Sequence, residues 1–381
     1  MTAIPHPSHI THVIPLAWAM RAAGHEVIVA GQPDLASTVE SAGLGFARVG
    51  EAYHTDDLVL RQLKGDKRLV ELAGLPTPQS LMMSARMWQI HARYLLSRYL
   101  EFAQWWKPDL VISDRMEFAG PMVAAALGVP SVHHRLGPDT CTDRAHASAP
   151  EYFEAACRRM GLDGYAGPTV VVDPCPPELQ MPGVVSDHLV RHVPFNGSGK
   201  APDWARRRNR PRRVCVSLGN RTLLFNGVPL QKHVIEAFQG MDDVEVIVTA
   251  AAEFHEAIGE LPENVRLVDT TPLNLFLDSC DLLVSHGGPG TALTACGLGV
   301  PQLVLPQWIG HPEMGTRLAA YGAGLTIEDA AEQDDPAVVR EAVRTLLEEE
   351  RFHKAARDLA DSMAAQQSPA ELVPVLEQLT R

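Results

Sequence analysis

Short apolar segments alternate with longer amphipathic stretches along the chain. The apolar segments are rich in β-branched residues, are bounded by Gly, Pro or Asp, and lie at residues 27–30, 110–113, 214–218, 244–249, 282–285 and 302–305. Helix-forming stretches lie between them, at residues 13–23, 121–127, 230–239 and 291–296. Buried strands that alternate with helices are typical of βαβ units with a parallel sheet. The pattern therefore predicts an α/β protein in which the loops after the strands share one edge.

The strand pattern starts again in the middle of the chain. Residues 196–213, "NGSGKAPDWARRRNRPRR", are polar and basic, and a new strand, "VCVSLG", follows at once. We interpret this segment as a solvated linker between two domains, each with its own doubly wound sheet. Residues 51–100 and 138–168 lack the alternation and are interpreted as helical or irregular insertions into the first domain, where a variable substrate wall is expected.

The first strand is unusually short. Only four residues precede "PHPSHITH", whereas a strand normally has about five residues. Either this strand is stunted or residues are missing upstream, and both interpretations stay open.

Composition narrows the function. The net charge of −13 argues against a general nucleic-acid binder, which would carry a basic face. The six cysteines form no Cys-x-x-Cys pair, so neither a zinc site nor a disulfide framework is predicted. No apolar run reaches the ~18–20 residues of a membrane span, and no secretion signal is recognisable. We therefore expect a cytoplasmic protein with reduced thiols, no membrane partner and no nucleic-acid partner.

The stretch "SHGGPGTALTACGLGVPQLVLP", residues 285–306, places a histidine and glycines between a strand and a helix. A helix N-terminus has unpaired N–H groups and the positive end of the helix dipole, which suit an anion such as a diphosphate. Glycines let the anion approach the backbone, while His286 and Thr291 can add hydrogen bonds. The alternative is an ordinary tight βα turn.

This stretch, with "GAG" at residues 322–324, resembles the donor-binding signature of inverting GT-B glycosyltransferases. The similar branch attaches deoxysugars to macrolides and aromatic polyketides, and "PSHITHVIPLAWAMRAAGHEVIVAGQPDL" resembles the same branch. The resemblance is weakest across residues 51–105 and 138–205. It implies two Rossmann-like domains that face a cleft: residues 1–200 for the acceptor and 201–368 for the donor. Residues 369–381 would form a helix that crosses back to the first domain.

The resemblance also implies donor-binding positions, which fall on three loops of the second domain. His286, Gly287, Gly288, Gly290 and Thr291 match the positions that hold the donor's diphosphate. The loop "SLGN" contributes Ser217, Gly219 and Asn220 to the same group, and Pro272 and Leu273 match the segment along the nucleobase.

One departure from the family pattern concerns the sugar. The family commonly has an Asp-Gln pair that grips the sugar hydroxyls, and its places here hold Gly310 and His311. A deoxysugar has fewer hydroxyls, so the absence of those acceptors would weaken its binding less than it would weaken the binding of glucose. The departure therefore favours a dTDP-deoxysugar over UDP-glucose as the donor.

Inverting transfer of a sugar requires a general base. The acceptor hydroxyl must lose its proton as it attacks, and a neutral histidine, with a pKa near ~6.5, can take it. His9 and His12 both follow the first strand. In relatives the base lies fifteen residues before the Gly that matches Gly24, which favours His9 and leaves His12 second. His6 is interpreted as a loop residue.

Asp114 ends the strand segment "VISD", the place where relatives carry the carboxylate that orients the histidine. A helix N-cap role is the alternative for Asp114. His133, His134 and Arg135 follow the next strand and are acceptor-side candidates, although the histidines could also be packed. The Met- and Trp-rich insertion residues, 81–88 with Met87 among them, together with Trp105 and Trp106, are a candidate wall of the acceptor site or part of the core.

The sequence thus predicts a metal-independent inverting glycosyltransferase that uses no cofactor. Its partners would be a dTDP-deoxysugar and a hydrophobic polyketide-type acceptor, with a homodimer and a helper protein left open. An inactive or auxiliary glycosyltransferase-like protein, a UDP-hexose transferase and a nucleotide-sugar epimerase are the alternatives. A dinucleotide-dependent dehydrogenase is disfavoured, because no Gly-x-Gly-x-x-Gly follows the first strand.

Overall fold

A computed structural model describes all 381 residues and shows two separate parallel sheets. The first half contains the strands β1 (Ile28–Gly31), β2 (Gly45–Arg48), β3 (Val111–Asp114), β4 (Ser131–His134), β5 (Val170–Asp173) and β6 (His188–Leu189). The second half contains β7 (Arg212–Ser217), β8 (Val244–Thr249), β9 (Val265–Val268), β10 (Leu282–Ser285), β11 (Gln302–Val304) and β12 (Gly324–Thr326).

Helices cover both sheets. Those of the first half are α1 (Pro7–Ile10), α2 (Ile14–Ala22), α3 (Ala36–Ser41), α4 (Thr55–Leu60), α5 (Leu69–Ala73), α6 (Pro78–Trp106), α7 (Ala119–Leu127) and α8 (Cys141–Arg159). Those of the second half are α9 (Asn220–Thr222), α10 (Val228–Glu236), α11 (His255–Ile258), α12 (Pro289–Gly297), α13 (His311–Tyr321), α14 (Ala330–Gln333), α15 (Pro336–Glu348), α16 (Glu350–Ala364) and α17 (Pro369–Gln378).

The short N-terminal segment is part of the first sheet. Thr2 forms parallel bridges to both Ala30 and Ser113, so it joins the pair β1–β2 to the four strands β3–β4–β5–β6. Its carbonyl accepts a hydrogen bond from Asp114 N–H at 3.0 Å. The stunted first strand therefore reaches the end of β3, and the chain turns directly into α1 above it.

The second sheet has the order β12–β11–β10–β7–β8–β9, all parallel. Every residue of β8 is buried, as expected for a central strand covered by helices on both faces. On α15, Val339, Val343 and Leu346 repeat at helical spacing and pack into the core on this sheet. The six predicted strands and four predicted helices are confirmed, with ends shifted by a few residues.

The basic segment between the sheets is less solvated than predicted. Its last two residues begin β7, and the guanidinium of Arg213 is completely buried, 2.9 Å from Glu245 Oε2. Arg213 also donates hydrogen bonds to Ala205 O and Ser279 Oγ. Burial of this cation is possible because carboxylate and oxygen acceptors surround it.

The two long insertions are helical. A capping box between Thr77 and Ser80 starts α6, which runs for 29 residues. Its buried face packs on α7 and α8. No helix has the length and apolar character needed to cross a membrane.

The last helix packs on the first half of the chain. A Ser368–Glu371 capping box starts α17. Leu372, Val373 and Leu376 lie in the same apolar cluster as residues of α2 and of the first sheet. His25 Nε2 and Glu377 Oε1 are 3.0 Å apart at its edge.

The two halves also touch through the segment that carries α4 and α5. Arg68 is almost fully buried and donates hydrogen bonds to Gln333 at 3.0 Å and to Asp334 at 2.6 Å. The amide of Asn226 donates to the carbonyls of Gly65 and Lys67. This insertion of the first half is thus seated on the second half, across the cleft.

Candidate active site

His9 and Asp114 form a hydrogen-bonded pair at the edge of the first sheet. His9 lies in α1, Asp114 ends β3, and His9 Nδ1 is 3.0 Å from Asp114 Oδ1. Because an ionised carboxylate can only accept, His9 Nδ1 carries the proton. His9 Nε2 is then left with a free lone pair, as a general base requires. The imidazole is 13% exposed, so it is reachable from the cleft, whereas the carboxylate is buried.

The buried carboxylate of Asp114 stays ionised because it has three donors. Burial by itself would raise its pKa, but His9 and the backbone N–H groups of Met116 and Ile4 outweigh burial and lower the pKa below its ordinary value. Those N–H groups donate at 2.8 Å and 2.6 Å. No backbone or side-chain contact supports an N-cap role of Asp114 for α7, which begins at Ala119. The carboxylate is therefore fixed to orient His9.

His12 is not part of this pair. Its imidazole is buried, packs 5.6 Å from the ring of His192, and leaves Nδ1 without a partner. Burial, with a smaller contribution from His192, lowers the pKa of His12 well below its usual value. Its Nε2 faces Gly290, because a Cβ placed there would lie 3.5 Å away. The structure thus places His12 between α2 and the glycine-rich turn, without contact to Asp114.

The acceptor candidates after β4 lie in the interior. His133 is buried with its ring 4.6 Å from that of His146, and His134 Nδ1 donates to the Arg135 carbonyl at 2.6 Å. Arg135 is buried among three carboxylates, including Asp139. The structure does not present these three side chains to the cleft, because each is packed or paired inside the first domain.

Helix α6 divides the apolar candidates. Leu81 and Trp88 are buried in the first-domain core, and Met87 is half-buried at its border. Trp105, at the C-terminal end of the helix, is 72% exposed. Met87 alone of these combines contact with the core and partial accessibility.

The glycines around His286 make room for its imidazole. A Cβ on Gly219 would lie 2.9 Å from His286 Cε1, and a Cβ on Gly288 would lie 2.3 Å from His286 Nε2. At Gly287, a Cβ would meet Val304 at 2.6 Å, and the positive φ of 82° also favours glycine. Gly219 and Gly288, on two different loops, therefore leave room for the half-buried imidazole of His286 before α12, while Gly287 is required by its own backbone conformation and by Val304.

His286 is a neutral hydrogen-bond donor at this helix N-terminus. Burial lowers its pKa to about 4, with Arg221 contributing. The N-terminal N–H groups of α12 are free of any side-chain cap, and Thr291 lies half-exposed in the first turn. Backbone donors, a neutral imidazole and a hydroxyl thus surround one position that suits an anion.

The loop after β7 meets this turn from the other side. Ser217 Oγ accepts a hydrogen bond from Thr249 at 2.9 Å. Asn220 uses its side chain to tie neighbouring loops together, since its amide donates to Thr270 and its carbonyl accepts from Ala251 N–H. The backbone of Ser217 is hydrogen-bonded to the His286 imidazole, Gly219 leaves room for that ring, and Asn220 fixes the loop's shape.

The predicted nucleobase segment is packed. Pro272 and Leu273 are buried, and Leu273 belongs to an apolar cluster with Ile247 and Phe276. A Cβ on Gly199 would lie 2.6 Å from Pro272, so the linker passes directly over this proline.

Gly310 and His311 begin α13 in a loop that crosses the cleft. The rings of His311 and His286 are 4.7 Å apart in an edge-to-face arrangement. Gly310 has a φ of 87° and faces Arg115 of the first half. Two residues earlier, Trp308 stacks on Phe225, and Ile309 packs on the first-domain core. Trp308 and Ile309 therefore make this loop apolar just before Gly310 and His311, the two positions at which the resemblance implies sugar-binding residues.

Two contacts across the cleft were not predicted. Arg221, directly after the "SLGN" loop, donates to His6 Nε2 and pairs with Asp56. His6 is the N-cap residue of α1. Its ring lies 5.3 Å from that of His9, so His6 is also a cleft residue. The position of Arg221 directly after "SLGN" is the sequence feature that could have identified it as a cleft residue, whereas Asp56 lies in an insertion without any motif. No group of three or more His, Cys, Asp or Glu side chains is arranged to hold a metal ion.

Two α/β halves that face a cleft, with a histidine–carboxylate pair on one side and a glycine-rich helix N-terminus on the other, are the arrangement of a GT-B type glycosyltransferase. The family models described as "Erythromycin biosynthesis protein CIII-like" match residues 18–219 with their N-terminal domain and 232–379 with their C-terminal domain. The chain belongs to this family and is a glycosyltransferase.

Named relatives have the same overall organisation. The chain is 34% identical to tylactone mycaminosyltransferase of Streptomyces fradiae, over 100% of this chain and 92% of the relative. It is 32% identical to aclacinomycin-T 2-deoxy-L-fucose transferase of Streptomyces galilaeus, over 100% and 95%. The solved structure of spinosyn rhamnosyltransferase SpnG complexed with thymidine diphosphate superposes with a TM-score of 0.88 at 34% identity, covering 99% of this chain and 98% of that one.

Proposed function

We propose that this glycosyltransferase moves a deoxysugar from a dTDP-sugar to a hydroxyl of a hydrophobic polyketide-type acceptor, with inversion and without a metal. The observation that carries the proposal is the His9–Asp114 pair, whose free Nε2 lies on the opposite side of the cleft from the His286 anion site. The two halves of a displacement reaction, a base and a leaving-group site, are thus supplied by different domains.

In the reaction, His9 Nε2 takes the proton of the acceptor hydroxyl while its oxygen attacks the anomeric carbon. The bond from that carbon to the diphosphate oxygen breaks on the opposite face, and the nucleoside diphosphate leaves as an anion. Asp114 stabilises the imidazolium that forms, because the carboxylate is ionised and accepts from Nδ1–H. The N-terminal N–H groups of α12 and the neutral His286 stabilise the departing charge without a metal.

The donor is inferred from the loop before α13 and from relatives. Gly310 and His311 stand where the resemblance implies an Asp-Gln pair and offer no carboxylate or amide acceptor to sugar hydroxyls, which suits a sugar that lacks some of them. Solved relatives complexed with thymidine diphosphate support the choice of nucleotide.

The acceptor is inferred from the apolar cluster next to the base. Met116 and Phe118, just after Asp114, are buried members of this cluster, and its partly accessible border includes Tyr53, Met87 and, from across the cleft, Ile309. A hydrophobic ring system placed against it would bring a hydroxyl toward His9. The relatives named for tylactone and aclacinomycin transfer support a polyketide acceptor.

The first experiment is a thermal-shift titration of the purified protein with dTDP, UDP, GDP and NAD. A ligand that binds only the native state raises the melting temperature, and we expect dTDP to raise it most. Turnover is then measured with dTDP-deoxysugars and a panel of polyketide aglycones, with and without EDTA. Activity that survives EDTA agrees with the proposal, whereas stabilisation by UDP alone, or by no nucleotide, contradicts it.

A further inference from the structure

The side chain of Arg221 joins the two domains inside the cleft. Its Nη1 donates to His6 Nε2, and its Nε donates to Asp56 Oδ1 at 2.7 Å. Its Nη2 lies 2.6 Å from the same carboxylate oxygen, and the side chain is only 31% exposed. Both partners come from the first domain, whereas Arg221 follows β7 of the second. A guanidinium cation therefore bridges the cleft from the donor side.

Arg221 lies within electrostatic reach of the anion site. It is two residues after Gly219, where an added Cβ would lie 2.9 Å from His286 Cε1, and four after Ser217, whose backbone is hydrogen-bonded to that imidazole. Burial is the main cause of the low pKa values of His286 and His311, and the charge of Arg221 lowers both further. The imidazoles at the site are thus kept neutral, and Arg221 supplies formal positive charge beside them.

Two aromatic rings hold the guanidinium without neutralising it. Its centre is 5.1 Å from the ring of Phe225 and 5.5 Å from that of Trp308, and these rings stack on each other. An arginine on aromatic faces keeps its charge and its in-plane donors while losing part of its hydration. Those donors are directed at His6 and Asp56 in the present arrangement.

The Asp56 carboxylate occupies the place that a phosphate group could take. Carboxylate and phosphate oxygens both accept from the planar fork of an arginine. Asp56 is 45% exposed on the short helix α4, so its carboxylate can turn away from Arg221 into solvent and be hydrated there. Arg221, in contrast, is fixed by its rings.

We propose that Arg221 binds the diphosphate of the nucleotide-sugar, and that Asp56 competes with the phosphate for the same guanidinium. This inference rests on the proposed function. When the donor enters, phosphate oxygens replace the carboxylate on Arg221. When the nucleoside diphosphate leaves, Asp56 pairs with Arg221 again. The exchange keeps a buried cation paired throughout.

The test compares dTDP with thymidine, which has the base and sugar without phosphates. Dissociation constants are measured by calorimetry for the wild type and for the variants R221Q, R221K and D56N. A matched control is R206Q, which removes the same charge from a side chain that is 84% exposed. Loss of a charge-assisted hydrogen bond predicts about 10- to 100-fold weaker dTDP binding by R221Q, with thymidine binding unchanged. R221K recovers part of the loss, R206Q matches the wild type, and D56N binds dTDP more tightly.

The outcomes separate this inference from the function it rests on. Wild-type protein that binds no dTDP overturns the proposed function, and this inference with it. If the wild type binds dTDP and R221Q loses dTDP and thymidine affinity equally, or loses neither, only the role of Arg221 is overturned. Weaker dTDP binding by D56N contradicts the exchange, because a competitor's removal cannot lower affinity.

Discussion

The Nδ1 atom of His9 lies 3.0 Å from Oδ1 of Asp114, so residues that are 105 positions apart in the chain form one functional unit. Three backbone elements make this possible: the bridge at Thr2, the short helix α1 and the end of β3. The Ile4 N–H donates to the same carboxylate, which fixes the start of the chain relative to β3.

Replacement of His9 by Gln is expected to lower kcat by about 10²- to 10⁴-fold, because a positioned general base contributes about that factor. dTDP affinity should stay unchanged, since His9 lies on the acceptor side. H12Q is the comparison: it should keep most of its kcat and lose stability, because His12 is buried. Steady-state kinetics together with thermal unfolding check both variants. A larger loss of kcat in H12Q than in H9Q would assign the base to His12.

Replacement of Asp114 by Asn should lower kcat by roughly 100-fold or more, because the wrong tautomer of His9 becomes accessible and its imidazolium loses a counter-charge. Because the pKa of Asp114 is lowered, the wild-type carboxylate is ionised at every pH above the ordinary pKa of an aspartate. It becomes protonated only when the pH falls below that ordinary value. The rate against pH should therefore show no step from Asp114 near neutrality. A D114N enzyme with wild-type kcat would show that Asp114 is structural.

Replacement of Gly288 by Ala should weaken dTDP binding, because the new Cβ would lie 2.3 Å from His286 Nε2 and force the imidazole to move. A displacement of about 1 Å in such a site can cost on the order of 100-fold. Gly297→Ala, at the exposed end of the same helix, is the matched control, since its nearest neighbour is 4.0 Å away. Calorimetric titration with dTDP is the measurement. Equal affinities of G288A and G297A would remove His286 from the donor site.

Replacement of Glu117 by Gln should change how stability depends on pH. Burial raises the pKa of Glu117 from 4.5 to about 8. Between these pH values the folded form keeps a proton that the unfolded form releases. The free energy of unfolding of the wild type therefore falls by about 1.4 kcal/mol per pH unit as the pH rises. E117Q lacks this loss and should gain relative stability from pH 5 to pH 8.

Urea unfolding at several pH values measures that difference, with E348Q, an exposed glutamate, as the control for lost charge. If the free energies of unfolding of the wild type and E117Q change in parallel with pH, Glu117 titrates normally in the folded protein.

The sequence was sufficient for the sheets and for the glycine-rich turn, because these depend on local patterns: apolar strands and a strand–turn–helix spelling. The resemblance to relatives, through a fixed spacing to Gly24, singled out His9; the structure places it 3.0 Å from Asp114, and its role as the base stays a prediction. The contacts of Arg221, Asp56 and Arg68 could not be predicted, because they depend on how an insertion without periodicity folds over the other domain. The interior position of His133 and His134 was likewise open, since a strand end in a parallel sheet can face either a cleft or a covering helix. Here α8 brings His146 against His133.

The return of α17 to the first domain has a consequence for building hybrid enzymes. Leu372, Val373 and Leu376 complete the core of the first half, although they come last in the chain. A fragment that stops near residue 200 would expose that apolar surface, and a single-crossover fusion with a relative would pair a foreign tail with the native α2. Exchange of the second half between relatives therefore calls for grafting residues 201–368 as an internal cassette, with both flanks taken from one parent.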